Sequence, residues 1–175
     1  MTRTLVMTAA MLAAAATDLW AQSPPAAANL TVSGKNLSIR YSAPSVRGRK
    51  IFGDGGLVSR DPTYPVWRAG ANSATMFHTD ADLEMGGLQV PKGTYTLYVL
   101  VQDPANWQLI VNKQTGQWGL SYAASQDLGR IKMTMAKPPA VVERLNYALT
   151  DQGANKVELK LAWEQHVATV PITVK

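Results

Sequence analysis

The chain contains no cysteine. That absence removes disulfides, thiolate metal centres and thiol nucleophiles together, and with them acylation of an N-terminal lipoprotein cysteine. Histidine is scarce as well: His78 and His166 stand 88 positions apart, and neither pairs with another imidazole at metal-binding spacing. Phosphate-loop and dinucleotide fingerprints are missing, because Gly53-Asp54-Gly55-Gly56 has the wrong spacing and no helical pattern follows it to supply a positive dipole. The G-x-S-x-G elbow of serine hydrolases does not occur. Nor is there an apolar run of the roughly 20 residues a membrane span requires, or a helical period beyond the N-terminal segment. These absences point to no cofactor, no metal site and no catalytic residue that the sequence alone can name.

What is present begins with an export signature. Arg3 supplies a short positive region, Leu5 to Ala16 is an apolar stretch ended by Asp18, and Leu19-Trp20-Ala21 closes on a small residue, so residues 1–21 are expected to be a signal peptide cut after Ala21. The protein is then exported, to the periplasm or the medium, with no membrane span after cleavage. Gln22 to Ala28 is Pro-, Ala- and Ser-rich and is expected to be a flexible leader, with one domain over residues 29–175. Of 175 residues, 46% are hydrophobic and 17% charged, which suits a single domain with a sizeable core. Without Arg3 and Asp18 the remainder carries 16 basic and 11 acidic residues, still +5. That charge favours anionic partners. It does not imply nucleic acid, since no basic stripe is interleaved with stacking aromatics.

Periodicity along the domain is that of strands. Leu30 to Val32 and Leu37 to Tyr41 alternate around Ser33-Gly34-Lys35-Asn36, a hairpin. Ala74 to Thr79 is strand-like, Leu83 to Val90 reads as a hairpin turning at Gly86-Gly87, and Thr94 to Gln102 is apolar on both faces, as a doubly covered central strand should be. Trp107 to Lys113, Arg130 to Met135, Val141 to Leu149 and Lys156 to Trp163 follow, with Val170, Ile172 and Val174 closing the chain. Pro171 cannot donate to a ladder and marks this last strand as an edge or a bulge. About ten short strands with turn signals at 8–12 residue spacing give an all-β, antiparallel sandwich of jelly-roll kind, a closed β-barrel being the alternative.

The organising stretch is Val66-Trp67-Arg68-Ala69-Gly70-Ala71-Asn72, where an aromatic, a guanidinium, a free-φ glycine and an amide crowd together. Ahead of it runs a long loop, Ser42 to Pro65, with three prolines and four glycines. Connections beyond about 12–15 residues are usually functional or disordered. Ile51-Phe52 and Leu57-Val58 are apolar anchors that favour an ordered loop folded over one end of a sheet. From Ala43 to Arg68 five basic residues face two acidic ones. Arg47, Arg49, Lys50, Trp67, Arg68, Asn72 and Trp118 are therefore the candidate ligand-binding set. The arginine forks suit carboxylate, phosphate or sulfate, and a tryptophan face suits a sugar ring. The implied partner is an anionic small molecule or saccharide. In the competing arrangement Arg68 and Asn72 are a buried latch for loop carbonyls and Trp67 is core; removing Arg68 then costs about 3–5 kcal/mol.

Two weaker constellations compete with that set. His78, Asp80 and Asp82 fall at period two and could share a strand face, though open zinc sites use three committed ligands with second-shell support. Asp80, Asp82 and Glu84 could instead serve a hydrolase acting on an envelope polymer, which requires carboxylates about 5–10 Å apart. Should these acids lie far from Trp67, the hydrolase reading loses a shared site.

The sequence resembles the secreted bacterial family called domain of unknown function 2911. The resemblance is carried by Tyr41 to Gly53, by Val66 to Thr75, by Pro91 to Leu97, and by Trp107 to Trp118-Gly119, in order along most of residues 30–119. Asp61-Pro62-Thr63-Tyr64-Pro65 departs from the shorter, glycine-richer approach to the tryptophan associated with the family. The resemblance implies an exported all-β domain and hands over no activity and no catalytic residue; both histidines lie outside its motif pieces. Intact-mass measurement of protein recovered from the periplasm or medium should give a chain beginning at Gln22; retention of Met1 on exported protein would refute the cleavage.

Overall fold

The computed structural model describes residues 23–175, so the expected signal peptide and its cut lie outside the described residues. Thirteen strands follow in chain order: β1 (Pro25–Val32), β2 (Lys35–Ser42), β3 (Val66–Trp67), β4 (Thr75–Thr79), β5 (Leu83–Met85), β6 (Leu88–Val90), β7 (Gly93–Leu100), β8 (Gln108–Asn112), β9 (Asp127–Lys132), β10 (Thr134–Ala136), β11 (Val142–Gly153), β12 (Lys156–Glu164) and β13 (His166–Val174). They form two antiparallel sheets. One runs β1-β2-β4-β7-β8-β9 with β3 also on β7, and the other β11-β12-β13-β5-β6 with β10 also on β13. The sheets stay separate, as a sandwich rather than a closed barrel. Their facing side chains make one core that includes Leu37, Ile39, Phe77, Leu97, Leu109, Leu159, Leu161 and Val170.

Local chemistry explains the main turns. Ser33 and Gly34 both have positive φ, 49° and 74°, between the paired Val32 and Lys35, which is the primed turn that suits strand twist. Tyr95 to Val99 are buried on both faces of β7: the inner side meets the core, while Tyr98 is covered by Tyr122 outside. The chain crosses between sheets at Met133, whose N–H donates to Trp107 O at 2.9 Å. One alternating run therefore becomes two strands, β9 and β10, in different sheets.

Two expectations need correcting. Residues 25–28, expected in a flexible leader, are paired within β1 opposite Ile39 to Ser42. Their alanines are small enough to lie beside the core, and Ala28 is buried. The last strand is central, not an edge: β13 pairs with β12 on one side and with β10 and β5 on the other. Pro171 falls in the gap between the β10 register, which ends at Thr169, and the β5 register, which starts at Ile172. Its carbonyl accepts from Gly86 N on that side. An N–H at Pro171 would point the same way, into the gap, so its absence breaks no ladder.

The Ser42 to Pro65 loop is ordered, as its apolar anchors imply. Val46 N donates to Glu143 O and Leu145 N to Pro44 O, so the loop covers the start of β11; Leu57 N and Val58 N donate to Lys50 O and Ile51 O. Phe52 carries the loop into the core. Its ring lies 4.7 Å from Trp107, 4.9 Å from His166, 5.1 Å from Trp67 and 5.7 Å from Trp163. Truncation of such a ring costs about 3–5 kcal/mol. For a domain of this size Phe52→Ala should therefore lower the melting temperature by roughly 6–20 °C in calorimetry. A change under about 2 °C would mean that the loop is not held by this packing.

Candidate functional site

The organising stretch is built around one carbonyl. Ala69 O accepts from Thr75 Oγ1 and from Tyr147 Oη, each at 3.0 Å, and Tyr147 N in turn donates to Tyr41 Oη at 3.1 Å. These bonds hold Ala69 at φ +50°, a conformation that costs an alanine about 1–2 kcal/mol. Glycine follows because a Cβ at Gly70 would stand 2.7 Å from Thr75 Oγ1. The chain turns here, and Arg68 is directed along Gly119, whose Cβ, if it had one, would meet Arg68 Cδ at 2.6 Å.

The turn opens a cleft of about 180 Å³ whose lining includes Arg47, Arg49, Asp61, Trp67, Arg68 and Trp163. Three arginines thus face one carboxylate. Arg49 is committed to the loop, its Nε and Nη2 donating to Val46 O at 3.0 Å and Ser45 O at 2.7 Å. Arg47 sits at φ +51° in the turn closed by Arg49 N and Val46 O, and its own N–H donates to Glu143 Oε1. Arg68 is the least satisfied. Its Nη2 stands 3.8 Å from Asp61 Oδ1, too long for a hydrogen bond, with the two side chains 19% and 20% exposed. Its buried Nε has no hydrogen-bond partner among the described residues, and the same holds for Trp163 Nε1. Arg68 is therefore neither the tightly bonded latch nor an open surface charge; it is a half-buried guanidinium with donors to spare.

The remaining expected residues fall elsewhere. Trp67 is 1% exposed and stacked on Trp163 at 5.6 Å and 15°. At that burial Trp67 has no free face to offer a sugar. Trp118, 53% exposed, bridges to Ser73 outside the cleft lining. Asn72 lies next to it, giving its carbonyl to Gly119 N, and Lys50 Nζ donates to Asp54 O at 2.6 Å. Neither Asn72 nor Lys50 lines the cleft.

Asp80 and Asp82 follow β4 at the opposite end of the sheet, and Glu84 lies in β5 of the other sheet, opposite Thr173. Thr79 pairs with Gly93 and Trp67 with Val99, six residues apart along β7, or about 20 Å. Asp80 accepts from Asn36 N and Nδ2 and lies 3.0 Å from His78 Nε2. The His78 bond, then those from Asn36, hold its carboxyl below the ordinary value. Asp82 turns away to accept Lys92 N. His78, Asp80 and Asp82 do not converge, and no three potential metal ligands gather among the described residues. The hydrolase candidates have no common cavity with Trp67.

Sequence reasoning missed Asp61, Trp163 and the pair Glu164–His166. Glu164 occupies the β12–β13 turn at φ +55°. Its Oε1 accepts from Ile51 N at 3.0 Å, and its Oε2 lies 3.2 Å from His166 Nδ1, off the line of a hydrogen bond. One carboxylate thus ties the basic loop to the turn bearing His166. His166 stacks on Trp107 at 5.0 Å and 12°. Burial lowers its pKa; Glu164 opposes this and Lys137 adds to it. Nothing in the local sequence marks these contacts, because Ile51 and Glu164 are 113 positions apart.

A family model described as "Protein of unknown function (DUF2911)" matches residues 23–172. The chain belongs to that family. No curated protein and no solved structure matches it.

A lowered His166 pKa means that the unfolded chain binds a proton the folded chain resists, so stability falls as pH drops below the ordinary value near 6.5. The melting temperature should decline between about pH 7.5 and 5.5, and His166→Gln should flatten that portion of the profile. An unchanged slope in the variant would assign the decline to other groups.

Proposed function

We propose that this protein is an exported binding module of the cell envelope whose arginine-lined cleft takes a small anion. The observation that carries the reading is the pairing of spare donors with surplus charge. Arg68 and Trp163 both line a cleft where three arginines oppose Asp61 alone, and each carries a buried N–H, at Nε and Nε1, without an acceptor among the described residues. A buried donor lacking an acceptor costs about 1–3 kcal/mol, and an anion seated against Arg68 would give its guanidinium an acceptor that Asp61 does not. The volume argues for size. Pockets for larger organic ligands run about 300–1,000 Å³, whereas this cleft holds about 180 Å³, enough for a phosphate, a sulfate or the head of a carboxylate but not for a stacked sugar ring. The anionic half of the expected ligand class is thereby favoured over the saccharide half.

Arg68 and Asp61 are then competitors for the same charge, and their variants should move binding in opposite directions. Calorimetry with phosphate and with sulfate at constant ionic strength should show Arg68→Ala weakening the better anion at least tenfold. Asp61→Asn should strengthen it, because the resident carboxylate no longer repels the ligand. Removing so long and partly hydrated a pair should cost only about 1 kcal/mol, well short of the loss from a broken buried pair. Arg68→Ala should accordingly melt within about 2–4 °C of the parent. Equal anion affinity in Arg68→Ala and parent would overturn the assignment.

A further inference from the structure

A second cavity, of about 520 Å³, shares no lining residue with the arginine cleft. Phe52 connects the two, its ring packing on Trp67 and Trp163, which line the cleft, and on His166, which lines the cavity. Three chain segments meet there. Pro104 and Ala105 come from the turn between β7 and β8, Met135, Ala136 and Lys137 from β10 and its exit, and Gln165 and His166 from the β12–β13 turn. Its volume is that of a small-molecule site rather than of a lone ion.

The lining has one character on its walls and another at its rim. Proline, alanine and methionine present apolar surface, and an unbranched methionine adapts to different shapes. Lys137 supplies the one full charge, with the Gln165 amide and the His166 imidazole as the other polar groups. No carboxylate is among the lining residues: Glu164 Oε1 accepts from Ile51 N, and its Oε2 lies 3.2 Å from the buried His166 Nδ1. The turn that delivers His166 is itself strained, since Glu164 holds a left-handed φ where a glycine would rest more cheaply.

We infer that this cavity binds a single-tailed anionic amphiphile, an aliphatic or aromatic monocarboxylate. Its apolar body lies on Pro104, Ala105 and Met135, and its carboxylate meets Lys137 and Gln165. The surplus of one positive charge selects an anion over an amine, and the apolar walls select a tailed acid over a bare one. This site is independent of the arginine cleft, so either assignment stands without the other.

The test uses octanoate on the intact protein, by calorimetry and by amide chemical-shift mapping, with octanol, acetate and octylamine at matched ionic strength. Octanoate should bind saturably with shifts at Ala105, Met135, Ala136 and His166, and the three comparators at least tenfold more weakly. Lys137→Ala should weaken octanoate at least fivefold and leave octanol unchanged, and Met135→Asp should abolish octanoate binding; both positions lie at a short strand and its exit, and circular dichroism confirms that the variants fold. Octanol binding as tightly as octanoate, or undiminished octanoate affinity in Lys137→Ala, would overturn the inference. Shifts centred on Arg47 and Arg68 would overturn it by moving the ligand to the other cleft. A tailed acid also occurs within bilayers, so anionic phospholipid vesicles form a separate arm. Binding to vesicles without binding of free octanoate would replace the cavity with a membrane contact.

Discussion

Phe52 is one ring from an otherwise irregular loop, and the polar end of the sandwich is arranged around it. Its contacts with Trp67, Trp107, Trp163 and His166 gather side chains from β3, from the start of β8, from β12 and from β13. A connection as long as Ser42 to Pro65 carries a large entropic cost when ordered. Buried aromatic surface is the kind of gain that offsets it, because each such ring removes on the order of 150–250 Å² from water. With Phe52 in place, Ile51 N reaches Glu164, Val46 N reaches Glu143 O, and Arg47 and Arg49 arrive beside Arg68. Without it the loop has no fixed path and the cleft has no wall.

Strain and unsatisfied donors collect at this same end. Ser33, Ala154 and Asn155 take positive φ in hairpin turns, where it is expected; Arg47, Ala69, Asn72 and Glu164 take it around the organising stretch and the ring cluster. Arg68 Nε, Trp107 Nε1, Trp163 Nε1 and His166 Nδ1 are buried there without hydrogen bonds among the described residues. A protein that merely needed to close the end of a sandwich would have reason to avoid both. Their coincidence with two cavities supports the proposal of ligands at this end, rather than at the His78–Asp80 end, where the carboxylates are already occupied.

Much of the sheet framework was readable from period-two patterning, because a strand with one buried face has little choice of register. Val157, Leu159, Leu161 and Trp163 alternate and are all buried; Thr94 to Gln102 reads as apolar on both faces, and within it Tyr95 to Val99 are buried. Pro171 misled because a proline reports only that its own N–H is missing, while the gap opposite it is created by where β10 ends and β5 begins. The leader misled because small residues beside a core edge have the composition of a linker. Within the site, the arginines were readable as charge. Their division was not: Arg49 turned to loop carbonyls and Arg68 left short of partners depend on Asp61, Trp163 and Gly119, which converge only in the fold. A tryptophan, likewise, has the same letter whether it stacks on a sugar or on Trp163.

The ring cluster holds the loop in one place, and amide hydrogen exchange measures that directly. Ile51 N is bonded to Glu164, Leu57 N to Lys50 O and Val58 N to Ile51 O. Those three amides should exchange slowly, with protection approaching that of central β7, even though they lie in a segment without regular strands. Exchange at the rate of an unstructured peptide would contradict the account, because a loop that opens freely cannot supply the wall against which Arg47, Arg49 and Arg68 converge.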